Sequence, residues 1–336
     1  MARLTFWILR IATATFFGLI TLRLAWPNSW PAEAITLFLP YFTAGGLALI
    51  VMLILARQRI VPLLLAVLVA VTSYPLIVSV APLAAYAQSS NLRLMSANVL
   101  RDASSFEGFM AMVMEIRPDV IVLQEMSAEW ADTVSDLEDY PYVASPFQTA
   151  QGVVILSRFP IRAETIPGVD LPDGVGGAHG LRAVLDLGDG ASAVLYAIHA
   201  PTPRTLAGWN ARNVYLEQVA VAISGETLGT NVVLAGDWNT SQWSAEFALL
   251  LSETGMSATE MSAWPAPTRI MRRYNIFRWV GSPIDHIAVS PGIARQNFTV
   301  GRDFGSDHKP IIADLLMPMD TATWSLRIGM ASRESS

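Results

Sequence analysis

The sequence contains no cysteine among its 336 residues. This absence excludes disulfide bonds, thiol nucleophiles and cysteine metal sites, so the fold must be stabilised by its hydrophobic core. It does not separate an oxidising compartment from a reducing one, because a chain without thiols suits both. Lysine is almost as scarce, since Lys309 is the only lysine in the chain.

Acidic residues are nearly absent from the first part of the chain. One acid, Glu33, against five arginines gives residues 1–88 a charge of +4, which leaves −10 for the remainder of a chain whose net charge is −6. An acidic remainder argues against tight non-specific binding to nucleic acid, which depends on Lys and Arg side chains that neutralise phosphates. It does not exclude chemistry on a single phosphate held by a metal ion.

Three long apolar runs, 4–26, 35–56 and 60–87, fill residues 1–88. Each exceeds the roughly 20 residues that an α-helix needs to cross about 30 Å of hydrocarbon. Buried core helices are rarely this long or this free of charge. We therefore predict three transmembrane helices, which together form a membrane anchor.

Arginines beside these runs predict the orientation of the anchor. Arg3 and Arg10 precede or open the first run, and Arg57 and Arg59 separate the second from the third, whereas the first loop, WPNSWPAE, has no basic residue. The positive-inside rule then predicts a cytoplasmic N-terminus and a multi-pass protein of the inner (cytoplasmic) membrane. Everything after residue 88 is expected on the periplasmic, extracytoplasmic side.

The end of the third run leaves one alternative open. Ala85 and Ala87 in AYAQSS have the small-residue spacing of a signal-peptidase site. The apolar run before them is long for a signal peptide, which favours a retained anchor over cleavage after Ala87. An intact full-length band in isolated membranes would exclude cleavage.

Beyond residue 90, short apolar runs alternate with turn residues, as is typical of buried strands. DVIVLQE, AVLYAIHA and NVVLAGDWN are examples. Helix candidates lie between the runs, namely SSFEGFMAMVMEI, LAGWNARNVYLEQVAVAIS and SAEFALLLSE. This alternation predicts an α/β sandwich over residues 91–318. Residues 319–336 are predicted to form a weakly structured tail.

Polar side chains with catalytic or metal-binding chemistry stand at the ends of the predicted strands. They are Asn98, Glu125, His199, Asp237, Asn239, Asp285, Asp307 and His308. Any one of them alone has a structural explanation: Asp237, for example, suits a turn before a helix. Together, in blocks that follow one another along the chain, they favour an active site.

The blocks that carry these residues resemble the endonuclease/exonuclease/phosphatase superfamily, the DNase I-like proteins. They are SANV, LQE, GVVILSRFPI, IHAPTP, GDWNT, PIDHI and SDHKPI, which span about residues 92–315 in the family order. GDWNT and SDHKPI are the most specific. The resemblance implies a four-layer α/β/β/α sandwich and Mg²⁺-dependent phosphoester cleavage, with Mn²⁺ as a possible substitute. With the predicted anchor, the chain would be a membrane-anchored bacterial member.

The resemblance implies a set of metal ligands. A phosphodiester anion repels nucleophiles, so a hard cation must screen its charge, and Mg²⁺ prefers oxygen ligands. Glu125 is the expected main ligand, with Asn98 and Asp307 completing or supporting the site. Some branches carry an acidic residue where this chain has Leu100. The choice between one and two metal ions therefore stays open.

The resemblance also implies catalytic roles. Asp237 is expected to activate or orient the attacking water, and Asn239 to position the phosphate or that water. His308 is expected to contact the scissile phosphate or act in acid–base catalysis, held by Asp285, because a carboxylate behind an imidazole fixes its tautomer and raises its pKa. His199 is expected to donate to the phosphate or the leaving group, in place of the tyrosine found in some nucleases.

One stretch, APTRIMRRYNIFRWVGSPIDH, concentrates basic and aromatic residues. Its candidate substrate-binding residues are Arg272, Arg273, Arg278 and Trp279. Such a segment can bind a nucleic-acid backbone and stack bases, or it can rest on lipid headgroups. A surface loop with a hydrophobic anchor and no function is the third interpretation.

Three functions from different classes follow. The leading one is a membrane-anchored nuclease that hydrolyses phosphodiester bonds by in-line attack of water. The alternative is a hydrolase of phospholipids, sphingomyelin-type lipids or small phosphoesters, and the last is a catalytically silent, membrane-anchored binding module. The expected partners are the lipid bilayer and a phosphoester substrate, and nothing in the sequence indicates an obligate protein partner. The substrate and the oligomeric state stay open.

Overall fold

The computed structural model of the chain describes residues 2–78, 81–100, 106–127, 130, 134, 137–145, 152–171, 177–188, 190–262, 264–271 and 280–318. The predicted tail, 319–336, lies outside these residues. The chain divides into two compact units. The N-terminal unit comprises Met1–Val80, Thr240–Ala248 and Met261–Pro265, and the sandwich unit comprises Ala81–Asn239, Leu249–Glu260 and Ala266–Ser336. Two short segments from beyond residue 200 thus belong with the N-terminal helices. The N-terminal unit is therefore discontinuous in sequence, and a single boundary near residue 90 does not describe it.

Four α-helices make up most of the N-terminal unit. They are α1 (Ala2–Ala25), α2 (Trp30–Leu37), α3 (Leu39–Leu55) and α4 (Ile60–Thr72), followed by a 3₁₀ turn at Tyr74–Leu76. Ile20, Leu49 and Leu65, from three different helices, are buried together in a small core. Many other large apolar side chains of these helices point outward, for example Ile11 and Leu55, which are 64% and 77% exposed. Outward apolar side chains on helices are typical of a surface that meets lipid or another apolar partner.

Only part of the three-span prediction is confirmed. Within the described residues, Phe6–Ala25 of α1 is long and apolar enough to cross a membrane, as expected of a transmembrane helix or a signal anchor. The second apolar run is broken into α2 and α3, which meet at an angle of 81° and count as at most one span. Pro40 explains the break, because a proline lacks the N–H that a continuous helix would need there. The third run forms a helix of only 13 residues.

Two six-stranded sheets form the centre of the sandwich unit. The first has the order β13 (Ala294–Val300), β14 (Ile311–Leu316), β1 (Leu92–Asn98), β2 (Val120–Gln124), β4 (Val154–Ser157) and β3 (Tyr142–Ala144). The second has the order β5 (Ile161–Thr165), β6 (Ala178–Gly188), β7 (Ala191–His199), β8 (Val232–Asp237), β12 (Asp285–Val289) and β9 (Ser257–Ala258). A small ribbon pairs β10 (Arg269–Ile270) with β11 (Gly281–Ser282).

Alternation of side chains along the strands builds the core between the sheets. Leu94 of β1 and Val122 of β2 are buried in one cluster with Leu195 and Val233 of the second sheet. The intervening residues, such as Met95, belong to another cluster on the opposite face of the first sheet. This division follows from the two-residue period of a strand, which sends successive side chains to opposite faces.

Helices cover the outer faces of both sheets. The helix α5 (Phe106–Ile116) buries Phe109 and Met112 against the first sheet. The helix α6 (Leu206–Ser224) lies on the second sheet, where the Tyr196 hydroxyl donates to the Ala222 carbonyl over 3.2 Å. A third helix, α7 (Ala245–Thr254), follows β8 along the chain. The prediction of a mixed α/β sandwich is therefore confirmed.

Residues of the possible signal-peptidase site are paired within the sandwich unit. The Ala87 amide donates to the Arg295 carbonyl over 2.8 Å, and the Arg295 amide donates to the Ala85 carbonyl over 2.8 Å. The Ala84 amide likewise bonds the Ala258 carbonyl at 2.8 Å. Cleavage after Ala87 would thus remove a paired segment from the folded unit, which favours a retained anchor.

A partly buried ion pair on the second sheet gives a stability prediction. The Glu226 carboxylate accepts from Arg182 Nε at 2.6 Å, from Arg182 Nη2 at 3.0 Å and from the Tyr196 hydroxyl at 2.7 Å. The Arg182 guanidinium, opposed in part by burial, lowers the pKa of Glu226. A lowered carboxyl pKa stabilises the fold above the unfolded value of about 4.3, and this stability is lost as pH falls through the folded pKa.

Glu226→Gln is therefore expected to lower the free energy of unfolding by about 1–2 kcal/mol at pH 7, because it removes the nearer of the two carboxylates that pair with the Arg182 guanidinium. The corresponding fall in Tm is about 2–6 °C. The matched control is Glu115→Gln, since the pair of Glu115 with Arg302 is exposed and worth less than about 1 kcal/mol. Circular dichroism melts of the full chain in detergent should show the difference at pH 7 and its disappearance below about pH 4. A constant difference across this range would contradict the assignment.

Candidate active site

The predicted site residues meet at one edge of the sandwich because of strand direction. The parallel strands β1 and β2 end in register at Asn98 and Gln124, and the parallel strands β7 and β8 end in register at His199 and Asp237. The antiparallel strand β12 begins at Asp285, directly opposite Asp237. Polar residues that end some strands and open others are thereby placed side by side.

An amide joins two carboxylates at this edge. Asn98 Nδ2 lies 3.2 Å from Glu125 Oε1 and 3.2 Å from Asp237 Oδ2. The Leu100 amide donates to Asn98 Oδ1 over 3.1 Å and so fixes the orientation of the Asn98 side chain. Leu100 stands where some branches of the resembled superfamily carry an acid. Its backbone N–H holds the side-chain amide of Asn98.

A histidine and a carboxylate form the second part of the site. His308 Nδ1 lies 2.9 Å from Asp285 Oδ2 and 3.1 Å from Asp285 Oδ1, and both side chains are buried. Burial alone lowers the pKa of His308, but the carboxylates of Asp285 and Asp237 outweigh it and raise that pKa to about 9. The imidazole is thus held with Nδ1 toward Asp285, and its Nε2 lies 3.8 Å from Asp237 Oδ2.

Asp237 stands between the two parts. Burial, together with the nearby Asp285 carboxylate, raises the pKa of Asp237 to about 7. His199 Nε2 lies 3.8 Å from Asp237 Oδ2 and 3.7 Å from Glu125 Oε1. A carboxyl group that titrates near neutral pH is suited to accept a proton from an attacking water and to release it again.

Backbone geometry around Asp237 is unusual. Asn239 has φ +50°, and its amide donates to Asp237 Oδ1 over 2.9 Å. Glu125 has φ +57°, in a region that non-glycine residues rarely adopt. Gly236 has φ +147°, and a Cβ at this position would overlap the Ile198 carbonyl. Such strain is concentrated at functional sites, where the surrounding fold has to maintain it.

The donor chemistry fits a divalent cation. Three carboxylates, those of Glu125, Asp237 and Asp285, converge on a buried edge, and such a concentration of negative charge favours a bound cation. Asp237, Asp285 and His308 offer ligand atoms within 4.8 Å of one another. Both oxygens of Asp285 are close to His308 Nδ1, however, so we assign this pair to orienting the imidazole. Glu125, whose side chain is the least enclosed of the three carboxylates, remains the better ligand for a hard cation, and the buried Asn98 supports it through Nδ2.

One expected metal ligand, Asp307, has an ion-pair partner of its own. The carboxylate of Asp307 pairs with Arg269 at 3.4 Å, so the structure places this expected metal ligand beside a cation of the β10–β11 ribbon. Arg272, Arg273, Arg278 and Trp279 lie outside the described residues. His286, the neighbour of Asp285, points to the other side and packs edge-on against Trp238 with ring centroids 5.1 Å apart.

Three supporting residues were missed by the sequence analysis. The Ser306 hydroxyl donates to the Asn98 carbonyl over 2.7 Å and accepts from the His308 amide at 3.1 Å. The Thr268 hydroxyl accepts from the Asp285 amide at 3.1 Å. Arg212, which is fully buried, donates from Nη1 to the Asn239 carbonyl over 2.9 Å. The signal for Arg212 was available, since it is a charged residue on the apolar face of a predicted helix.

Comparison with solved structures shows the same fold in several proteins. The chain is similar to TDP2 of D. rerio, crystallised with a single-strand DNA product (17% identity, 67% of this chain and 98% of that chain, TM-score 0.54). It is also similar to the catalytic domain of human Nocturnin (14% identity, 69% and 97%, TM-score 0.54). A conserved protein of unknown function from Enterococcus faecalis V583 matches likewise (13% identity, 68% and 100%, TM-score 0.53). Among curated protein sequences, none matches significantly.

The family comparison covers the whole of the site. The model of the endonuclease/exonuclease/phosphatase family matches residues 95–308, more than half of the chain, from within β1 to His308. Enzymes of this family are phosphoester hydrolases and generally depend on divalent metal ions, and the chain has a buried acidic and histidine cluster at the corresponding edge of its sandwich. This chain is a member of the endonuclease/exonuclease/phosphatase family, with a DNase I-like α/β sandwich and the hydrolase chemistry of that family.

Proposed function

We propose that the chain is a divalent-metal-dependent phosphodiesterase, with Mg²⁺ as its metal and nucleic acid as its leading substrate. The observation that carries the proposal is the convergence of His308, Asp285, Asp237, Asn98 and Glu125 through contacts of 2.9–3.8 Å. A bound divalent cation would be held mainly by Glu125, with Asn98 and Asp307 completing or supporting the site, and would supply electrostatic stabilisation of the phosphate charge.

The protein's own groups divide the remaining work. Asp237 accepts the proton of the attacking water, and the Asn239 amide holds the Asp237 carboxylate in place. His308 presents Nε2 toward the phosphate as a charged donor, because Asp285 fixes Nδ1 and stabilises the imidazolium. His199 provides a second imidazole on the Glu125 side of the centre.

One observation favours a second substrate class. The apolar helix α1 has the length of a membrane span or signal anchor, and an enzyme tethered to a bilayer meets phospholipid headgroups at high local concentration. Phospholipid or another small phosphoester is therefore the alternative substrate. We propose a retained anchor with the sandwich unit outside the cytoplasm. A cysteine introduced at the exposed Leu228 would be the only thiol in the chain, and its labelling in intact spheroplasts would test the orientation.

The function is tested with the full-length chain in detergent or nanodiscs. Mg²⁺-dependent cleavage is measured side by side on supercoiled plasmid, on phospholipid vesicles and on a generic activated phosphodiester, with His308→Ala as the control for each substrate. Nicking that is lost in the variant would support the nuclease. Headgroup release without nicking would assign the lipid alternative instead.

The generic diester separates a wrong substrate from a wrong reaction class. Its hydrolysis by the wild type, and not by His308→Ala, would support a phosphodiesterase even if plasmid and vesicles are left intact. Absence of hydrolysis on all three substrates, from a folded chain that binds Mg²⁺, would overturn the proposed reaction and favour the binding module.

A further inference from the structure

A run of five polar and aromatic residues, which we call the TSQWS segment (Thr240–Ser244), follows Asn239 directly and is almost completely buried. The exposed fraction is 0% for Thr240 and Ser241 and between 2% and 6% for the other three residues. Buried polar groups need hydrogen-bond partners, because an unpaired one costs about 1–3 kcal/mol. The partners of this segment therefore show what it is built to contact.

Two of these hydroxyl groups are bonded to one carboxylate of the N-terminal unit. Glu33 Oε2 accepts from the Ser244 hydroxyl at 3.0 Å, and Glu33 Oε1 accepts from the Thr240 hydroxyl at 3.3 Å. A third contact joins the Ser241 hydroxyl to the Thr36 carbonyl of the same helix, α2, at 3.5 Å. The segment and α2 both belong to the N-terminal unit, so these bonds are internal to it.

Glu33 is an exceptional residue in its own part of the chain. It is the only acid among residues 1–88, and it is 6% exposed in a helix between two apolar ones. An ionisable side chain within an apolar anchor is costly and is retained for a specific partner. Glu33 lies in the first turn of α2, and its partner Ser244 directly precedes α7. The carboxylate is therefore close to the N-terminal ends of two helices, which favour negative charge.

The chain connects this contact to the site. The TSQWS segment begins one residue after Asn239, whose strained backbone (φ +50°) brings its amide to Asp237 Oδ1. On one side the Asn239 carbonyl is fixed by Arg212. On the other side the chain enters the TSQWS segment, in which Thr240 and Ser244 bond Glu33. Because a non-glycine residue keeps a left-handed conformation only when its neighbours hold it, the second attachment matters as much as the first.

We propose that Glu33 is a positioning residue for the phosphodiesterase site, which acts by holding the TSQWS segment and through it Asn239 and Asp237. The proposed coupling runs along the chain, through the peptide bond between Thr240 and Asn239. The inference rests on the proposed function for its catalytic consequence. The structural part of the proposal, that Glu33 holds the TSQWS segment, can be tested without any measurement of activity.

The test uses the full-length chain in nanodiscs with two variants from opposite sides of the contact, Glu33→Gln and Ser244→Ala. Each is expected to increase deuterium exchange in peptides covering residues 238–248. Each is also expected to lower kcat about tenfold on the activated diester with KM changed less than twofold, since a small misplacement of reacting groups affects turnover. The double variant should lose less than the sum of the two single losses, because the bond between Ser244 and Glu33 is common to both.

The matched control is Glu226→Gln, which makes the same chemical change in the sandwich unit and should leave exchange at 238–248 and kcat unchanged. Unchanged exchange in both test variants would overturn the proposal. Raised exchange with unaltered kcat would also overturn it, because the segment would then be held without positioning the site. If the wild type hydrolyses no diester, the proposed function fails, and raised or unchanged exchange still decides whether Glu33 holds the segment.

Discussion

His308→Ala is expected to lower kcat for phosphodiester hydrolysis by about 10³-fold, within the range found for removal of a positioned acid–base group. The expectation rests on the two contacts of the imidazole, Nδ1 to Asp285 at 2.9 Å and Nε2 to Asp237 at 3.8 Å. Loss of the ring removes the imidazolium that these two carboxylates stabilise. The remaining activity would come from substrate binding and the metal site.

Asp285→Asn separates orientation from the presence of the ring. The amide keeps the shape of the carboxylate but no longer stabilises the imidazolium, and it can select the wrong tautomer of His308. We expect kcat to fall by about 10²–10³-fold, with the folded state retained. Single-turnover rates at saturating substrate measure this directly.

Asp186→Asn is the matched control for this variant. Asp186 caps a turn by accepting from the Gly188 amide at 3.1 Å, a role that asparagine fills equally well. Its kcat should equal that of the wild type. Full activity of Asp285→Asn, or equal losses in both aspartate variants, would refute the assigned role of Asp285.

Removal of divalent metal ions is expected to abolish hydrolysis, with a loss of at least about 10³-fold, because a metal supplies several kcal/mol of charge stabilisation to the transition state. The carboxylates of Glu125 and Asp237 and the Asn98 side chain converge within 3.2 Å contacts and fit this demand. Dialysis against a chelator, followed by titration with Mg²⁺ or Mn²⁺, should remove and restore the activity.

Glu125→Gln tests which residue holds the ion. The substitution keeps the size of the side chain and removes its charge, so the Mg²⁺ concentration for half-maximal activity should rise about 10–100-fold. Glu115→Gln, which changes an exposed acid of helix α5 that pairs with Arg302, should leave this concentration unaltered. A rise in Tm with added Mn²⁺ gives a second readout that needs no substrate. Chelator-resistant activity would exclude the metal.

The identity of the site residues could be predicted from the sequence because their chemistry is local. GDWNT and SDHKPI place an aspartate, an asparagine and a histidine at strand ends, and the structure brings Asn98, Glu125, His199, Asp237 and His308 to one edge. Strand direction explains this convergence. Parallel strands that end in polar residues deliver them to the same edge, whatever connects them.

The supporting contacts could not be predicted in the same way. Ser306 and Thr268 bind backbone groups of distant strands, and a serine or threonine near a turn is too common to be singled out. Asp307, expected at the metal, pairs with Arg269 because the β10–β11 ribbon lies beside it. The position of Arg269 could not be predicted, because the sequence around it has no strong hydrophobic period.

The apolar N-terminal region shows the limit of hydropathy. Length and apolar character predicted three spans. Helix α1 satisfies this prediction for the first of them. Hydropathy does not register the break between α2 and α3, since Pro40 and its neighbours are apolar enough to extend the run. It also gives no reason for the polar TSQWS segment to belong with these helices.

The sequence by itself determined the family, the α/β class and the residue types of the site, because these depend on strand period and on short motifs that are read along the chain. Only the tertiary structure decided which carboxylate faces which nitrogen, how Asn239 is held from both sides, and that Glu33 bonds Thr240 and Ser244. The reason is physical. A hydrogen bond between residues separated by 207 or 211 positions depends on the packing of whole elements, and no local preference encodes it.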